Sequence, residues 1–370
     1  MHPLSALNRE FVARGLHRKP VGLALSHLAL HVACSLGGTA AFVLAHGLPA
    51  RVAALVVMTL GNLGISGHTH TSSHNGTSPR LWVNRALTFF GYGLMFGTSA
   101  AWWWNKHIAV HHATPNVIGL DDDVDLLPWF ALTEEDFARG GPLRRWYHRH
   151  QWLLLPPALA LTALNMTRAS NAYLVGALRD PGTPGRRRPL LWADLAAVVT
   201  HYALWIALPM LWFPARGVVG FYLLRGALLG FAVFATAAPA HFPAESCFLP
   251  TEGHGDRGAY RRHSDYILLQ TVTTVNYRTS GLGRVICCGI EFQIEHHLFP
   301  GFSYVQYPRM SPIIREFCEA NGYPYRELGW WDGVVKSLRV FKHPKRVEPA
   351  LEAVRARAQA EEARLAAGGA

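Results

Sequence analysis

What most restricts the fold of this chain is a set of long stretches without a charged side chain. Between Lys19 and Arg51 lie 31 residues with no Asp, Glu, Lys or Arg; between Arg85 and Lys106 there are 20, between Asp194 and Arg216 there are 21, and between Arg225 and Glu245 there are 19. About 20 apolar residues cross the hydrocarbon of a bilayer as a helix. Only 16% of the residues are charged, so the runs point to an all-α integral membrane protein. Spanning helices are expected at about 21–45, 51–67, 194–213 and 218–240. His46-Gly47-Leu48-Pro49 turns the first pair and Pro214-Ala215-Arg216-Gly217 the second, which makes two hairpins. The stretch 152–166 carries Pro156-Pro157 and is expected to lie at the interface instead.

The net charge of +11 fits this reading. Arg144-Arg145 and Arg186-Arg187-Arg188 fall in the connection between the hairpins, where basic residues hold a loop on the cytoplasmic side and against anionic headgroups. No basic stripe interleaved with aromatics stands outside these loops, which argues against nucleic acid as a partner. Arg9, Arg14, Arg18 and Lys19 precede an apolar run too long for a cleaved leader and without a small-residue cleavage site, so a retained hairpin is expected. The cysteines at 34, 247, 287, 288 and 318 are odd in number and lack zinc-ligand or thioredoxin spacing, which fits a reduced, cytoplasm-facing environment. Residues 1–345 read as one membrane domain. Residues 346–370, rich in Ala, Arg and Glu, read as a solvated helix and tail.

Twenty histidines are spread along the chain, and those at the ends of the apolar runs carry a pattern. In "GHTHTSSHNG" His70 and His74 are four apart, hence on one helical face. "WWWNKHIAVHHATPN" repeats that spacing with His107 and His111, followed by His112. His241 closes the last apolar run, and "CCGIEFQIEHHLFP" holds Gln293, His296 and His297. Imidazole suits iron, zinc, copper and nickel. Eight such groups exceed the four ligands a zinc ion usually takes, so two ions are expected. They can meet only on one side of the bilayer. The run 86–104 must therefore enter and leave on that side as an interfacial or re-entrant segment, its Trp102-Trp103-Trp104 suited to the headgroup boundary.

The three boxes, in this order and at these intervals, resemble those of the membrane fatty acid desaturases. The glutamine that opens the last box, with "YPRMSPIIREFCEANGYPY" after it, resembles the front-end acyl desaturases in particular, and "HHATPNVIGLDDDVD" and "LLQTVTTVN" belong to the same likeness. The resemblance implies two non-haem iron ions and dioxygen as co-substrate, in a helical cap on the cytoplasmic face of a multi-pass, bacterial inner-membrane protein. It implies His70, His74, His107, His111, His112, His241, His296 and His297 as the metal ligands. Gln293 stands where relatives outside the front-end group have histidine, and Asn276 is a candidate to hold a metal-bound water. Thr71 stands where the family has an acidic residue, and His68 is a candidate substitute for His70.

Carboxylates that orient the imidazoles are sought among Asp121, Asp122, Asp123, Asp125, Glu291 and Glu295. The implied reaction introduces a cis double bond, on the carboxyl side by analogy, into a fatty acyl chain linked to CoA, carrier protein or lipid. Electrons would come from a separate ferredoxin or cytochrome, since no haem-binding HPGG motif is present. A hydroxylase or other oxygenase on the same scaffold is the alternative. A metal transporter or sensor is a remoter one, disfavoured because Asp194 and Arg225 are expected near helix ends. His27 and His31, His201, His254 and His263 read as packed or surface histidines, and Cys287-Cys288 as close packing beside Gly289.

Overall fold

The computed structural model describes residues 3–251 and 265–348. His254, His263 and the tail from residue 349 lie outside these residues. Four described helices are long and apolar enough to cross a membrane: Val21–Leu44, Leu48–Ser73, Gly185–Leu211 and Ala215–His241. Between 17% and 39% of their most apolar windows is buried inside the protein. Leu30, Val56, Leu223 and Phe231 instead face outward, and so much exposed apolar surface calls for lipid around it.

The chain opens with α1 (Pro3–Ala13), then α2 (Val21–Leu44) and α3 (Leu48–Ser73), which pack along each other. Gly47 at φ +90° makes the turn, and Pro49 sits in the first turn of α3, where a missing N–H is harmless. Buried Ser35 of α2 donates to Asn62 Oδ1 of α3 at 2.8 Å. α3 runs six residues past the expected end at 67, and these extra turns carry His68 and His70.

The run 86–104 is not one helix. α4 (Leu81–Thr88) passes into a π-helical stretch, Phe89–Met95; the chain then breaks at Gly97 (φ +68°) and restarts as α5 (Ala100–Trp103) and a second π-helical stretch, Trp104–Val110. Backbone N–H groups freed by such a break need partners inside the protein. Asp194 supplies them, accepting from Ser99 Oγ at 2.6 Å and from the backbone N–H of Ala100 at 3.0 Å and Ala101 at 2.9 Å.

Downstream, α6 (Leu155–Arg179) corrects the expectation of a stretch interrupted at Pro156-Pro157. The prolines stand in its first turn, where they start a helix rather than break one, and it continues well past 166. α7 (Arg188–Tyr202) extends through a π-helical stretch and a 3₁₀ turn to Leu211, and α8 (Ala215–His241) packs chiefly on α6. Arg225 lies inside α8, not near its end as expected. It is 4% exposed, donates to the Met95 carbonyl at 2.7 Å and lies 4.0 Å over the Trp205 ring.

The α-helices and strands described after α8 form a layer beside the histidine-bearing helix ends. They are α9 (Tyr266–Thr273), β1 (Asn276–Arg278), α10 (Gly281–Cys287), α11 (Gln293–Leu298), α12 (Tyr307–Asn321), β2 (Glu327–Gly329) and α13 (Trp330–Val340). β1 and β2 run parallel, with Asn276 opposite Glu327. Leu268, Ile294, Met310 and Ile314 are fully buried in its core, together with Phe11 of α1. Phe11 meets Phe299 edge-on at 5.0 Å, which ties the segment before the first apolar helix to the last histidine box. Val347 pairs with Phe248 and Lys345 with Thr133, so the expected solvated helix does not begin at 346: residues 345–348 lie extended against the protein.

Candidate metal centre

The histidines arrive from five elements in four separate segments of the chain. His70 and His74 come from the C-terminal end of α3, His107 from the second π-helical stretch, His111 and His112 from the 3₁₀ turn that follows it, His241 from the last residue of α8, and Gln293, His296 and His297 from α11. They gather into two adjacent groups. His70, His74, His107, His112 and His296 have ring nitrogens within 4.8 Å of one another, and so do His111, His241 and His297. The rings of His112 and His297 stack at 4.3 Å between the groups.

Each adjacent pair of histidines is split between the groups. Neighbouring residues on a helix project about 100° apart, which sends the two side chains of each pair in different directions. The expectation that His107 and His111 act as an i, i+4 pair is corrected here. The segment is wound as a π-helix, whose wider turn brings i and i+5 together. His107 Nε2 consequently lies 3.1 Å from His112 Nε2, while His111 turns to the other group.

Within the larger group, His70 Nε2 is 2.7 Å from His107 Nε2, and His112 Nε2 is 3.1 Å from His296 Nε2. A ring nitrogen is either donor or acceptor, so hydrogen bonds alone do not account for lone pairs converging in this way. A cation does: at metal–nitrogen distances of about 2.1 Å, ligands at right angles lie about 3.0 Å apart. His74 Nε2 is buried among these nitrogens without a hydrogen-bond partner, as a missing ligand bond would leave it. The residues present therefore fit a metal site in each group.

Protonation states agree. Burial, and after it the neighbouring imidazoles, holds His74, His107, His112, His296 and His297 well below the ordinary histidine value, so they are neutral and keep a free lone pair. His111 is the exception. Burial pushes it down, but the Asp121 carboxylate, 2.9 Å from Nδ1, outweighs that and raises it. Asp121, fully buried, also accepts from the Asn116 and Asp123 N–H groups and stays ionised. A proton held on Nδ1 leaves Nε2 to face the metal. For His297 the same part is played by Gln270 Oε1 at 2.8 Å, and for His296 by the Tyr307 hydroxyl at 3.3 Å.

Of the carboxylates sought, only Asp121 and Asp123 reach a box histidine, Asp123 at 3.6 Å from His111 Nδ1. Buried Glu295 binds Asn276 and Tyr325 instead, and Glu291 the Gly289 N–H. Gln270 and Tyr307 orient imidazoles without being acidic, and no expectation from the sequence named them, although they stand in "LLQTVTTVN" and "YPRMSPIIREFCEANGYPY". Asn116 was passed over too: its Nδ2 donates to the His241 carbonyl at 2.9 Å and to Ser246 Oγ at 2.7 Å, pinning the end of α8.

Gln293 sits with the smaller group, its Nε2 2.9 Å from His241 Nε2 and 3.3 Å from His297 Nε2. Its Oε1 has no partner, and exchanging the two ends of the amide would present that oxygen to a cation. Asn276 does not face the ligands. Its Nδ2 donates to Glu295 and Tyr325 and its Oδ1 accepts from the Ile294 N–H, so its amide braces α11 rather than holding a metal-bound water. His68 turns away from the box histidines, while His70 lies among them.

Beside the larger group Trp103 stacks on His107 at 4.5 Å. Trp103 also lines a largely apolar cavity together with Tyr92, Thr167, Arg225, Leu229 and Val233.

Comparison with known proteins follows the same lines. The family model described as "Fatty acid desaturase" matches residues 23–329. The chain is 27% identical to human "Fatty acid desaturase 3" over 74% of its own length and 56% of that protein's. To "Delta(5) fatty acid desaturase fat-4" of Caenorhabditis elegans it is 26% identical, over 74% of its own length and 59% of the relative's. To "Delta(8)-fatty-acid desaturase 2" of Arabidopsis thaliana it is 24% identical, over 91% and 73%. The chain thus spans little more than half the length of the first two relatives. With the match running through all three boxes and most of the chain, the protein belongs to the fatty acid desaturase family.

Proposed function

We propose that the protein introduces a double bond into a fatty acyl chain, consuming dioxygen and two electrons, at a pair of iron ions on the cytoplasmic face of a membrane. The observation that carries this reading is the convergence of eight imidazoles into two adjacent buried groups, in a chain similar to proteins named for Delta(5), Delta(6) and Delta(8) desaturation. Iron bound there would supply the oxidising power for an unactivated C–H bond, which no side chain has. His70, His74, His107, His112 and His296 would hold one ion, and His111, His241 and His297, with Gln293 beside them, the other.

The chain's own residues do the rest. Asp121, Gln270 and Tyr307 hold protons on, or bonds to, the far side of their imidazoles and so fix which nitrogen faces the metal. Burial of every ligand but His70 to below one tenth exposure keeps water away. The apolar cavity against Trp103 receives the acyl tail, and stacking on His107 sets how near the tail comes to the ligands. Val21–Leu44 with Leu48–Ser73, and Gly185–Leu211 with Ala215–His241, cross the membrane as two hairpins whose histidine ends share one side. A separate acidic electron carrier fits a chain of net charge +11.

The test is expression in a host of simple lipid composition, with mass analysis of its acyl chains. A product lighter by two hydrogens is expected, and it is lost in His296→Ala. A product heavier by one oxygen would make the enzyme a hydroxylase. An unchanged acyl profile from folded, iron-loaded protein supplied with an electron donor would overturn the reading.

A further inference from the structure

A third group of ligand atoms lies apart from the eight box histidines and is not used by the reaction above. His31 from the middle of α2, His68 from α3 and Cys288, just after α10, bring two ring nitrogens and a sulfur within 4.8 Å of one another. All three side chains are buried, at 3%, 3% and 1% exposure. His31 Nδ1 and His68 Nε2 have no hydrogen-bond partner, which is unusual for buried polar atoms.

The surrounding backbone makes room for these side chains. A Cβ at Gly64 would fall 2.2 Å from the His31 ring, and one at Gly67 2.8 Å from Cys288 Cβ, so α3 clears space for both on one face. Cys288 adopts φ +51°, ψ +40° at the C-cap of α10, a left-handed conformation that glycine takes freely and a cysteine does not. A thiol is thus held where its backbone is strained, and such outliers gather at functional positions. His27 and Tyr304 close the pocket, their rings 6.5 and 5.3 Å from that of His68.

We propose that His31, His68 and Cys288 bind one zinc-class cation, a site separate from the box histidines and serving to clamp α2 and α3 to the turn that leads into α11. Two imidazoles and a thiolate are a borderline-to-soft donor set that suits zinc and excludes hard cations, which take oxygen ligands. On binding, the S–H bond breaks, the proton passes to solvent, and the thiolate sulfur becomes a ligand. No redox change is involved.

The test uses the full chain, purified in detergent, stripped of metal and titrated with cobalt(II) as a spectroscopic stand-in for zinc. The two box groups contain no cysteine, so a thiolate-to-cobalt charge-transfer band does not arise from them, and the cysteine variants assign it among the free thiols. The expected result is a band whose intensity at saturation corresponds to one thiolate-bound cobalt per chain, with further cobalt taken up by the box histidines without adding to it. The band is displaced by zinc, disappears in Cys288→Ser and weakens in His31→Gln, but survives in Cys287→Ser. Helix content by circular dichroism shows that each variant is folded. If Cys288→Ser does not fold, His31→Gln and zinc displacement in the unaltered protein decide. No band in the unaltered protein, or a band that persists in folded Cys288→Ser, overturns the proposal. Neither outcome bears on desaturation, which is read by acyl product.

Discussion

A carboxylate does opposite things at two buried positions of this protein. Asp121 is kept ionised by His111 and by backbone N–H groups, against the effect of burial. Replacing it in Asp121→Asn removes the charge that fixes the proton on His111 Nδ1. A loss of about 10–100-fold in iron affinity or activity is expected, measured as iron retained after dialysis and as product formed. Glu291 has no such partner. Burial first pushes its carboxyl up to about 7 from an ordinary 4.5, and the Gly289 N–H and Arg284 offset only part of this. Between these two pH values the unfolded chain has lost the proton and the folded one keeps it, so stability falls as pH rises through the window. Glu291→Gln should accordingly be more stable than the parent at pH 8 by roughly 2–3 kcal/mol and close to it at pH 4.5, read from thermal unfolding in detergent at the two pH values.

Among the elements, the broken segment between α4 and His107 decides whether the second box reaches the first. Its restart at α5 rests on Asp194 of α7, whose oxygens take three hydrogen bonds from Ser99, Ala100 and Ala101. Asp194→Ala leaves those donors buried and unpaired, and a loss of about 2 kcal/mol or more is expected. Because α5 leads directly into the π-helical stretch that carries His107, iron content should fall together with the unfolding temperature. Asp194→Asn, which keeps one acceptor, should lose less of both.

The whole molecule makes a prediction about sidedness. If the four apolar helices cross as two hairpins, residue 46 and residue 186 lie on opposite faces. Cys34 is the one cysteine that is not buried, so a Cys34→Ser background allows single-site labelling. In intact cells His46→Cys should react with a membrane-impermeant maleimide, and Arg186→Cys only after permeabilisation. Equal labelling of both positions would contradict the arrangement.

Much of this was legible from residue order alone. Uncharged runs mark apolar helices because a side chain's charge is visible without knowing its neighbours, and the box histidines stand out because their spacing is local. The sequence by itself determined that helix ends would bear imidazoles in excess of one ion's needs. Only the tertiary structure decided how they are shared. The split of His111 from His112 and of His296 from His297 and the pairing of His107 with His112 through a π-helical turn depend on backbone winding. The roles of Gln270, Tyr307 and Asn116 depend on partners 27, 11 and more than a hundred residues away, respectively, that only the packed chain brings within reach. The same holds for His68, which sits two residues from His70 in the chain yet faces His31 and Cys288. Spacing along a helix constrains direction, but which neighbour waits there is settled by packing between distant segments.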